Sequence, residues 1–206
     1  REQELADLTA RLSSEQRALV LVGASGSGKS SLVRAGLLPK LAQGPWPALV
    51  VRELRPGQHP LQRLEEALAA EGEAAVPRPG QWRGRAAALL AARGDGARLL
   101  VVIDQLEEAF ALAEPDAREG FFAALGELRA EPRCHLILCL RADFLDELMT
   151  SSLWRGGGVA HRLIDALRGE PLRTAIVAPA HAAGVYLEPA LVERLLGETE
   201  VSPQAL

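Results

Sequence analysis

The chain has 206 residues, of which 48% are hydrophobic and 24% charged, and its formal net charge is −4. The length suggests one domain or two small ones, and the apolar fraction is ample for a core, which excludes global disorder. The acidic balance argues against a dedicated nucleic-acid-binding domain, because such domains usually carry a clear cationic excess. No apolar run exceeds about seven residues, far short of the roughly 20 that a membrane helix needs, so we expect a soluble protein.

The single methionine and the two cysteines indicate the origin of the chain and its cellular location. The chain begins at Arg1 and its only methionine is Met149, so we interpret it as a segment of a longer protein. The only cysteines, Cys134 and Cys139, flank the apolar run 135–138. In a strand their Cα atoms would lie about 16 Å apart on opposite faces, which excludes a mutual disulfide. We therefore expect reduced core thiols and a cytoplasmic location.

The apolar pattern of the first half alternates between helical and strand-like segments. Residues 2–12 carry leucines at helical spacing, and residues 18–22 form a continuous apolar run that predicts a strand buried on both faces. A helix is predicted to start within the following glycine-rich turn, with Pro39 near its end. The next predicted elements are a strand at 48–51 and helices at 61–70 and 82–92.

The same alternation continues in the second half and decides the fold class. The predicted elements are a strand at 99–103, a helix at 116–129, a strand at 135–140, a short amphipathic piece at 143–149, a possible fifth strand at 161–164, and helices at 171–177 and 189–196. Buried strands that alternate with helices require a parallel sheet covered on both faces. We therefore predict an α/β fold of three layers with a mainly parallel, five-stranded sheet.

Residues 23–30 fit the pattern G-x-x-x-x-G-K-[ST] between a predicted strand and a predicted helix. Glycines let the backbone fold tightly enough for successive N–H groups to point at one anion, and the helix dipole adds to that field. Lys29 would lie along the β and γ phosphates, and the Ser30 hydroxyl would bind Mg²⁺. A flexible serine and glycine turn is the alternative, which the flanking strand and helix disfavour. The predicted nucleotide-binding residues are Gly23, Ala24, Ser25, Gly26, Ser27, Gly28, Lys29, Ser30 and Ser31.

A second acidic site for magnesium is predicted at Asp104, which ends the most hydrophobic strand. A carboxylate there can hold Mg²⁺ directly or through water, opposite Ser30. Glu107 and Glu108 follow, and either could orient or deprotonate the water that attacks the phosphate. They could equally be the solvated first turn of a helix, where acids suit the dipole.

Arg141 follows the fourth predicted strand, beside the two phosphate-binding strands. A guanidinium at this place could reach the γ-phosphate and report whether it is present. An ion pair with Asp143 or Asp146 is an equal alternative from sequence alone.

Three blocks, at 23–39, 101–110 and 140–145, closely resemble the bacterial novel STAND NTPases. These are signal-transduction ATPases with numerous domains, related to the NACHT and apoptotic ATPase groups. The stretch 172–184 resembles that family's helix with a Pro-Ala pair, so the resemblance covers nearly the whole chain. It implies a single P-loop NTPase core of the additional-strand, AAA-like type over residues 1–206.

The resemblance implies a molecular switch that binds Mg²⁺ and ATP or ADP and hydrolyses ATP slowly. It assigns Lys29 and Ser30 to phosphate and Mg²⁺, Asp104 to Mg²⁺, and Arg141 to a sensor role. The spacing of the acidic pair in the related NACHT pattern matches Glu107 and Glu108, and favours Glu108 as the base.

The partners that the resemblance implies are the nucleotide and other domains of the same chain. These are a lid and winged-helix part, sensor repeats such as WD repeats, and an effector, with a possible ATP-dependent homo-oligomer and no membrane. Here the family's Gly-Arg-Glu element on the adenine side is represented only by Arg1 and Glu2, and the lid is expected beyond Leu206. Two other functions stay open: a nucleic-acid-associated AAA-like ATPase, which the acidic charge disfavours, and a nucleotide-binding scaffold without hydrolysis.

Overall fold

Five parallel strands form the centre of the molecule. The computed structural model describes residues 1–14, 16–69 and 80–201, with side chains as far as residue 198. The strands are β1 (Ala18–Gly23), β2 (Leu49–Leu54), β3 (Arg98–Ile103), β4 (Cys134–Arg141) and β5 (Val159–Leu163). They lie in the order β2-β3-β4-β1-β5, and each neighbouring pair is parallel. The predicted α/β class and the five-stranded parallel sheet are confirmed.

Helices cover both faces of the sheet. They are α1 (Glu2–Ser13), α2 (Lys29–Ser31), α3 (Leu38–Gln43), α4 (Pro60–Leu68), α5 (Trp82–Ala91), α6 (Glu107–Ala111), α7 (Pro115–Arg129), α8 (Leu145–Thr150), α9 (Ser152–Arg155), α10 (Gly169–Ala182) and α11 (Pro189–Val201). A 3₁₀ turn, Ala142–Phe144, precedes α8. The predicted C-terminal end of the helix at 61–70, Ala70, lies outside the described residues. In the part of the chain that the structure describes, no helix is both long and apolar enough to cross a membrane.

Two hydrophobic clusters on opposite faces of the sheet make up the core. Alternate residues of β1 divide between them, with Val20 and Val22 in the cluster under α4, α5 and α7, and Leu19 and Leu21 in the cluster under α1 and α3. This is the two-residue period of a strand buried on both sides. Cys134 and Cys139 are buried free thiols in different clusters, as the strand geometry predicted.

The helix after the glycine-rich turn differs from its prediction, because it continues past Pro39 to Gln43. A π-helical stretch, Leu32–Leu37, joins α2 to α3, and that proline is the second residue of α3. Proline lacks an N–H group and its ring clashes with the carbonyl four residues earlier in a regular α-helix. The wider π turn shifts the hydrogen-bonding ladder at this point, which allows the helix to continue through Pro39.

The order of the strands decides which loops come together. Strands β3, β4 and β1 are neighbours in the sheet, with Gly23 opposite Arg141 and Ile103 opposite Leu138. Carboxyl ends of parallel strands meet at one edge, where ligands bind in open α/β sheets. The loop after β1, the residue after β3 and the end of β4 therefore form one site.

Candidate nucleotide site

The glycine-rich loop after β1 has a backbone conformation that disfavours residues with a Cβ atom. Gly26 and Gly28 have φ angles of 74° and 86°, in the left-handed region that favours glycine. A Cβ atom on Gly23 would lie 2.3 Å from the carbonyl oxygen of Ile164. The three glycines therefore make the tight turn into α2 possible, as the motif predicted. The buried Ser27 hydroxyl has no hydrogen-bond partner among the described residues.

Lys29, the first residue of α2, is folded back onto this loop. Its ammonium donates hydrogen bonds of 2.8 Å to the carbonyl oxygens of Gly23 and Ala24. Burial lowers the pKa of Lys29, and the nearby carboxylates of Glu107 and Asp104 oppose part of that shift. The ammonium is thus held at the pocket by neutral carbonyl acceptors. A phosphate group would bind it more strongly, because both partners would then be charged.

Ser30 and Asp104, the two predicted magnesium ligands, are in contact with each other. The Ser30 hydroxyl donates a 2.6 Å hydrogen bond to Oδ1 of Asp104, whose side chain is almost fully buried. With its proton committed to the carboxylate, the Ser30 oxygen keeps its lone pairs for a cation. Among the described residues, no cluster of three His, Cys, Asp or Glu side chains could hold a metal. The pair fits Mg²⁺, which usually takes one or two protein oxygens together with water and phosphate.

The second oxygen of Asp104 faces two arginines that the sequence analysis did not identify. Arg34, in the π-helical stretch, lies 3.2 Å from Oδ2, and Arg55, after β2, lies 3.8 Å from it. Arg34 also donates from Nε to Glu53 on β2 at 2.7 Å, and this hydrogen bond raises the pKa of Arg34. Two cationic side chains thus lie beside the buried carboxylate of Asp104. Glu53 and Arg55 could have been identified from the sequence, because they lie at the carboxyl end of β2, the strand next to β3.

The two glutamates after Asp104 are directed to different places. Glu107 lines the pocket of the glycine-rich loop and accepts a 3.2 Å hydrogen bond from the backbone N–H of Arg141. Glu108 accepts a 3.1 Å bond from the backbone N–H of Gly57 and lines a neighbouring pocket that includes Arg55. Of the acidic pair, the structure therefore brings Glu107 to the predicted phosphate site and directs Glu108 towards the loop after β2.

Arg141 lines the same pocket as Glu107 but is bound to its own loop. Its guanidinium forms two hydrogen bonds with Asp143, of 3.1 and 2.6 Å, and lies 5.6 Å from the ring centre of Phe144. The ion pair that the sequence left open is thus present with Asp143. The guanidinium is still half-exposed at the pocket wall, where a phosphate could compete for it.

The amino end of the chain also reaches the loop. Arg1 donates to the carbonyl oxygens of Ser27, at 2.9 Å, and of Asp165, at 2.8 Å, and pairs with Glu4 at 2.8 Å. It therefore connects the glycine-rich loop to the segment after β5. Glu2, its neighbour in the expected adenine-side element, is exposed in the first turn of α1.

A glycine-rich loop leads from β1 into a helix, and an acidic residue follows β3, which β4 separates from β1 in the sheet. This arrangement is typical of a P-loop NTPase. The family model of novel STAND NTPase 1 matches residues 1–206. The chain belongs to this family, which confirms the resemblance and the P-loop NTPase class.

Solved structures of low identity share the fold. The Walker-type ATPase of Pyrococcus abyssi aligns with a TM-score of 0.64 and 15% identity, over 96% of this chain and 62% of its own. Cdc6p from Pyrobaculum aerophilum aligns with a TM-score of 0.57 and 16% identity, over 88% and 49%. AMPPCP-bound DnaA from Aquifex aeolicus gives 0.52 and 16%, over 94% and 54%. The chain spans less than two thirds of each, and no curated protein matches it significantly.

Proposed function

We propose that this chain is the Mg²⁺-ATP/ADP-binding module of a STAND-type signalling switch, in which slow ATP hydrolysis controls a conformational or assembly change. The observation that carries the proposal is the 2.6 Å hydrogen bond from Ser30 to Asp104 beside the Lys29 ammonium. A serine hydroxyl, a buried carboxylate and a lysine in one pocket suit a nucleoside phosphate with its magnesium ion. Membership of the family and the AMPPCP carried by the DnaA neighbour support it.

In this proposal, the lysine, the serine with the aspartate, and the backbone of the loop have separate roles in binding the phosphates. The Lys29 ammonium exchanges the carbonyls of Gly23 and Ala24 for phosphate oxygens, a stronger pairing because both partners are charged. Ser30 and Asp104 would hold Mg²⁺, which would neutralise part of the charge on the phosphates. Residues 23–31 supply the backbone N–H donors.

Hydrolysis requires a carboxylate next to the attacking water, and we assign this step to Glu107. It takes a proton from water as the water oxygen bonds to the γ-phosphorus and the bond to the β,γ-bridging oxygen breaks, which yields ADP and phosphate. Glu107 shares its pocket with Lys29 and Arg141, whereas Glu108 faces Gly57. We therefore prefer Glu107 to the Glu108 that the family spacing favoured. Arg141 senses the γ-phosphate when it exchanges Asp143 for it.

Binding is tested with the only two lysines of the chain. In the full-length protein, Lys29→Ala is expected to weaken ATP and ADP binding by about 10- to 100-fold, the cost of one hydrogen bond between charged groups. Lys40→Ala is the matched control, because Lys40 is exposed on α3 outside the pocket, and should bind as the wild type does. Calorimetry or a fluorescent nucleotide gives the Kd values. Equal binding by both variants, or no binding by the wild type, contradicts the proposal.

Turnover is tested with the adjacent glutamates. Glu107→Gln should lower kcat by about 100-fold or more, the contribution typical of a general base. Glu108→Gln keeps an acceptor for the N–H of Gly57 and should stay within a few-fold of the wild type. Phosphate release under single-turnover conditions measures both. The reverse order would restore Glu108 as the base, and a wild type that binds but never hydrolyses ATP would be the nucleotide-binding scaffold.

A nucleic-acid-associated ATPase is the second candidate. Solved structures that share the fold include Drosophila ORC bound to DNA, at 12% identity. The net charge of −4 weighs against this function. ATP turnover that rises strongly on addition of DNA would favour it, whereas turnover indifferent to DNA favours the switch.

The remaining partners follow from the same proposal. A lid and winged-helix part, sensor repeats such as WD repeats and an effector would lie elsewhere in the full-length protein, and ATP would drive assembly of several copies. Light scattering of the full-length protein with ATP and with ADP tests the assembly. An identical mass in both nucleotides contradicts it.

A further inference from the structure

Gln105 holds a backbone conformation that its side chain disfavours. Its φ angle is 53°, and it is the one non-glycine residue with a positive φ among the described residues. The left-handed region is sterically costly for residues with a Cβ atom and is normally occupied by glycine, asparagine or aspartate. Residues kept in such conformations cluster at functional sites.

The neighbouring backbone fixes this conformation. The N–H of Asp104 donates to Leu54 on β2 at 2.9 Å, and the N–H of Leu106 donates to Cys139 on β4 at 2.9 Å. The chain is thus bound to strands on either side of β3 within three residues. The N–H of Gln105 itself is held by Oδ1 of Asp104 at 3.1 Å. These bonds explain why the backbone is left-handed here, but glycine would satisfy them equally well.

The surroundings of the Gln105 side chain suggest why glutamine, and not glycine, occupies this position. Gln105 lines the pocket of the glycine-rich loop together with Lys29, Glu107 and Arg141. Each of those three has a partner: the carbonyls of the loop, the N–H of Arg141, and Asp143 respectively. In the described part of the chain, the Gln105 carboxamide has no hydrogen-bond partner. It is a neutral group with both donor and acceptor capacity, free at the wall of a charged pocket.

We propose that the Gln105 carboxamide contacts the terminal phosphate of bound ATP and the water that attacks it. Its NH₂ group donates to a γ-phosphate oxygen, and its carbonyl oxygen accepts a hydrogen bond from the water, which Glu107 deprotonates. Because the carboxamide carries no charge, it approaches the phosphate without the repulsion that a carboxylate would meet. This inference rests on the proposed function and adds to it a residue that distinguishes ATP from ADP.

The test separates backbone strain from side-chain chemistry. Gln105→Gly removes the disfavoured side chain, so Tm should stay equal or rise, while kcat should fall at least 10-fold and the preference for ATP over ADP should diminish. Gln105→Glu keeps the length and the backbone conformation and should weaken ATP binding more than ADP binding. Kd values for both nucleotides, single-turnover rates and thermal unfolding of the full-length protein supply the measurements.

Three results would overturn the inference. Gln105→Gly with the kcat and the ATP-to-ADP affinity ratio of the wild type would show that the carboxamide does not meet the γ-phosphate. A clear loss of Tm in that variant would show that glutamine serves the fold. Gln105→Glu with unchanged nucleotide preference would place the side chain away from the phosphate. In all three the wild type still binds nucleotide, so the proposed function stands; a wild type that binds neither nucleotide contradicts both.

Discussion

At the scale of single residues, the end of the sheet opposite the nucleotide site holds an unusual titratable group. His135 is 5% exposed at the start of β4, and its ring centre lies 4.5 Å from that of Trp46. Its Nδ1 has no hydrogen-bond partner among the described residues. Burial, together with Arg98 and Arg17, lowers the pKa of His135 to about 4. The imidazole is therefore neutral in the folded protein over a range of pH in which an unfolded chain would carry it protonated.

We expect the fold to lose stability in mild acid because of His135. The pKa of His135 is lower in the folded state, so between pH 6.5 and about 4 the unfolded state binds the extra proton and stability falls as pH falls. The loss at pH 5 is about 2 kcal/mol relative to pH 7.5. Denaturant unfolding at both pH values should show a smaller difference for His135→Gln. His161→Gln is the control, because His161 is exposed on β5; equal pH dependence in all three proteins contradicts the prediction.

At the scale of elements, the strands whose positions follow from the local sequence were predicted well. The ends of strands that depend on tertiary contacts were not. Central strands β1, β3 and β4 are buried on both faces and appear as continuous apolar runs, so their positions were predicted closely. The edge strand β2 continues beyond the predicted residues 48–51 through Arg52 and Glu53, whose polar side chains hid it. Edge strand β5 is also partly exposed, so its apolar pattern is weak. It begins at Val159, before the predicted residue 161.

The candidate site shows the same division. Spacing alone placed Lys29, Ser30 and Asp104 in one site, because the glycine-rich motif and an apolar strand that ends in aspartate each carry their own signal. The separation of Glu107 from Glu108 depends on the N–H groups of Arg141 and Gly57, which are distant in sequence. The left-handed backbone of Gln105 depends on two neighbouring strands, so no local pattern indicates it.

Helix α5 depends on a carboxylate from another helix. Glu127 on α7 accepts hydrogen bonds from the N–H groups of Gly80, at 2.7 Å, and Trp82, at 3.0 Å, at the beginning of α5. The side chain of the N-cap residue does not cap α5. We expect Glu127→Ala to lower the free energy of unfolding by about 1–3 kcal/mol, since it leaves two amide donors unpaired.

Denaturant unfolding checks this value against a matched control. Glu119→Ala removes an exposed carboxylate from the same helix α7 and should change stability by less than about 0.5 kcal/mol. A Glu127 variant as stable as the Glu119 variant would mean that water replaces the cap without cost.

At the scale of the whole molecule, the candidate nucleotide site joins elements that are distant in the sequence. Arg34 between α2 and α3, Glu53 on β2 and Asp104 after β3 form one chain of ionic contacts, and Arg1 connects the glycine-rich loop to the segment after β5. A ligand that binds this loop and Asp104 together stabilises several elements of the fold at once. Its effect should therefore appear in global unfolding.

We expect ATP or ADP with Mg²⁺ to raise Tm. A ligand at 100 times its Kd stabilises the folded state by about 2.7 kcal/mol, or roughly 5–10 °C for a domain of this size. Removing Mg²⁺ with EDTA should reduce the shift, and Lys29→Ala should reduce it at equal nucleotide concentration. Differential scanning fluorimetry measures the series. A shift that persists undiminished in Lys29→Ala would mean that the nucleotide binds elsewhere.

The strand order also governs when the molecule can fold during synthesis. Strand β1 leaves the ribosome before the other four strands, yet both of its neighbours in the sheet, β4 and β5, come from the second half of the chain. Parallel pairings between distant segments form slowly, because the entropy of closing the intervening loop must be overcome first. The phosphate-binding loop is thus made early but gains its final shape late. A ribosome-bound chain that stops before Val159 would present an apolar β1 edge without its partner, a state that invites chaperone binding or aggregation.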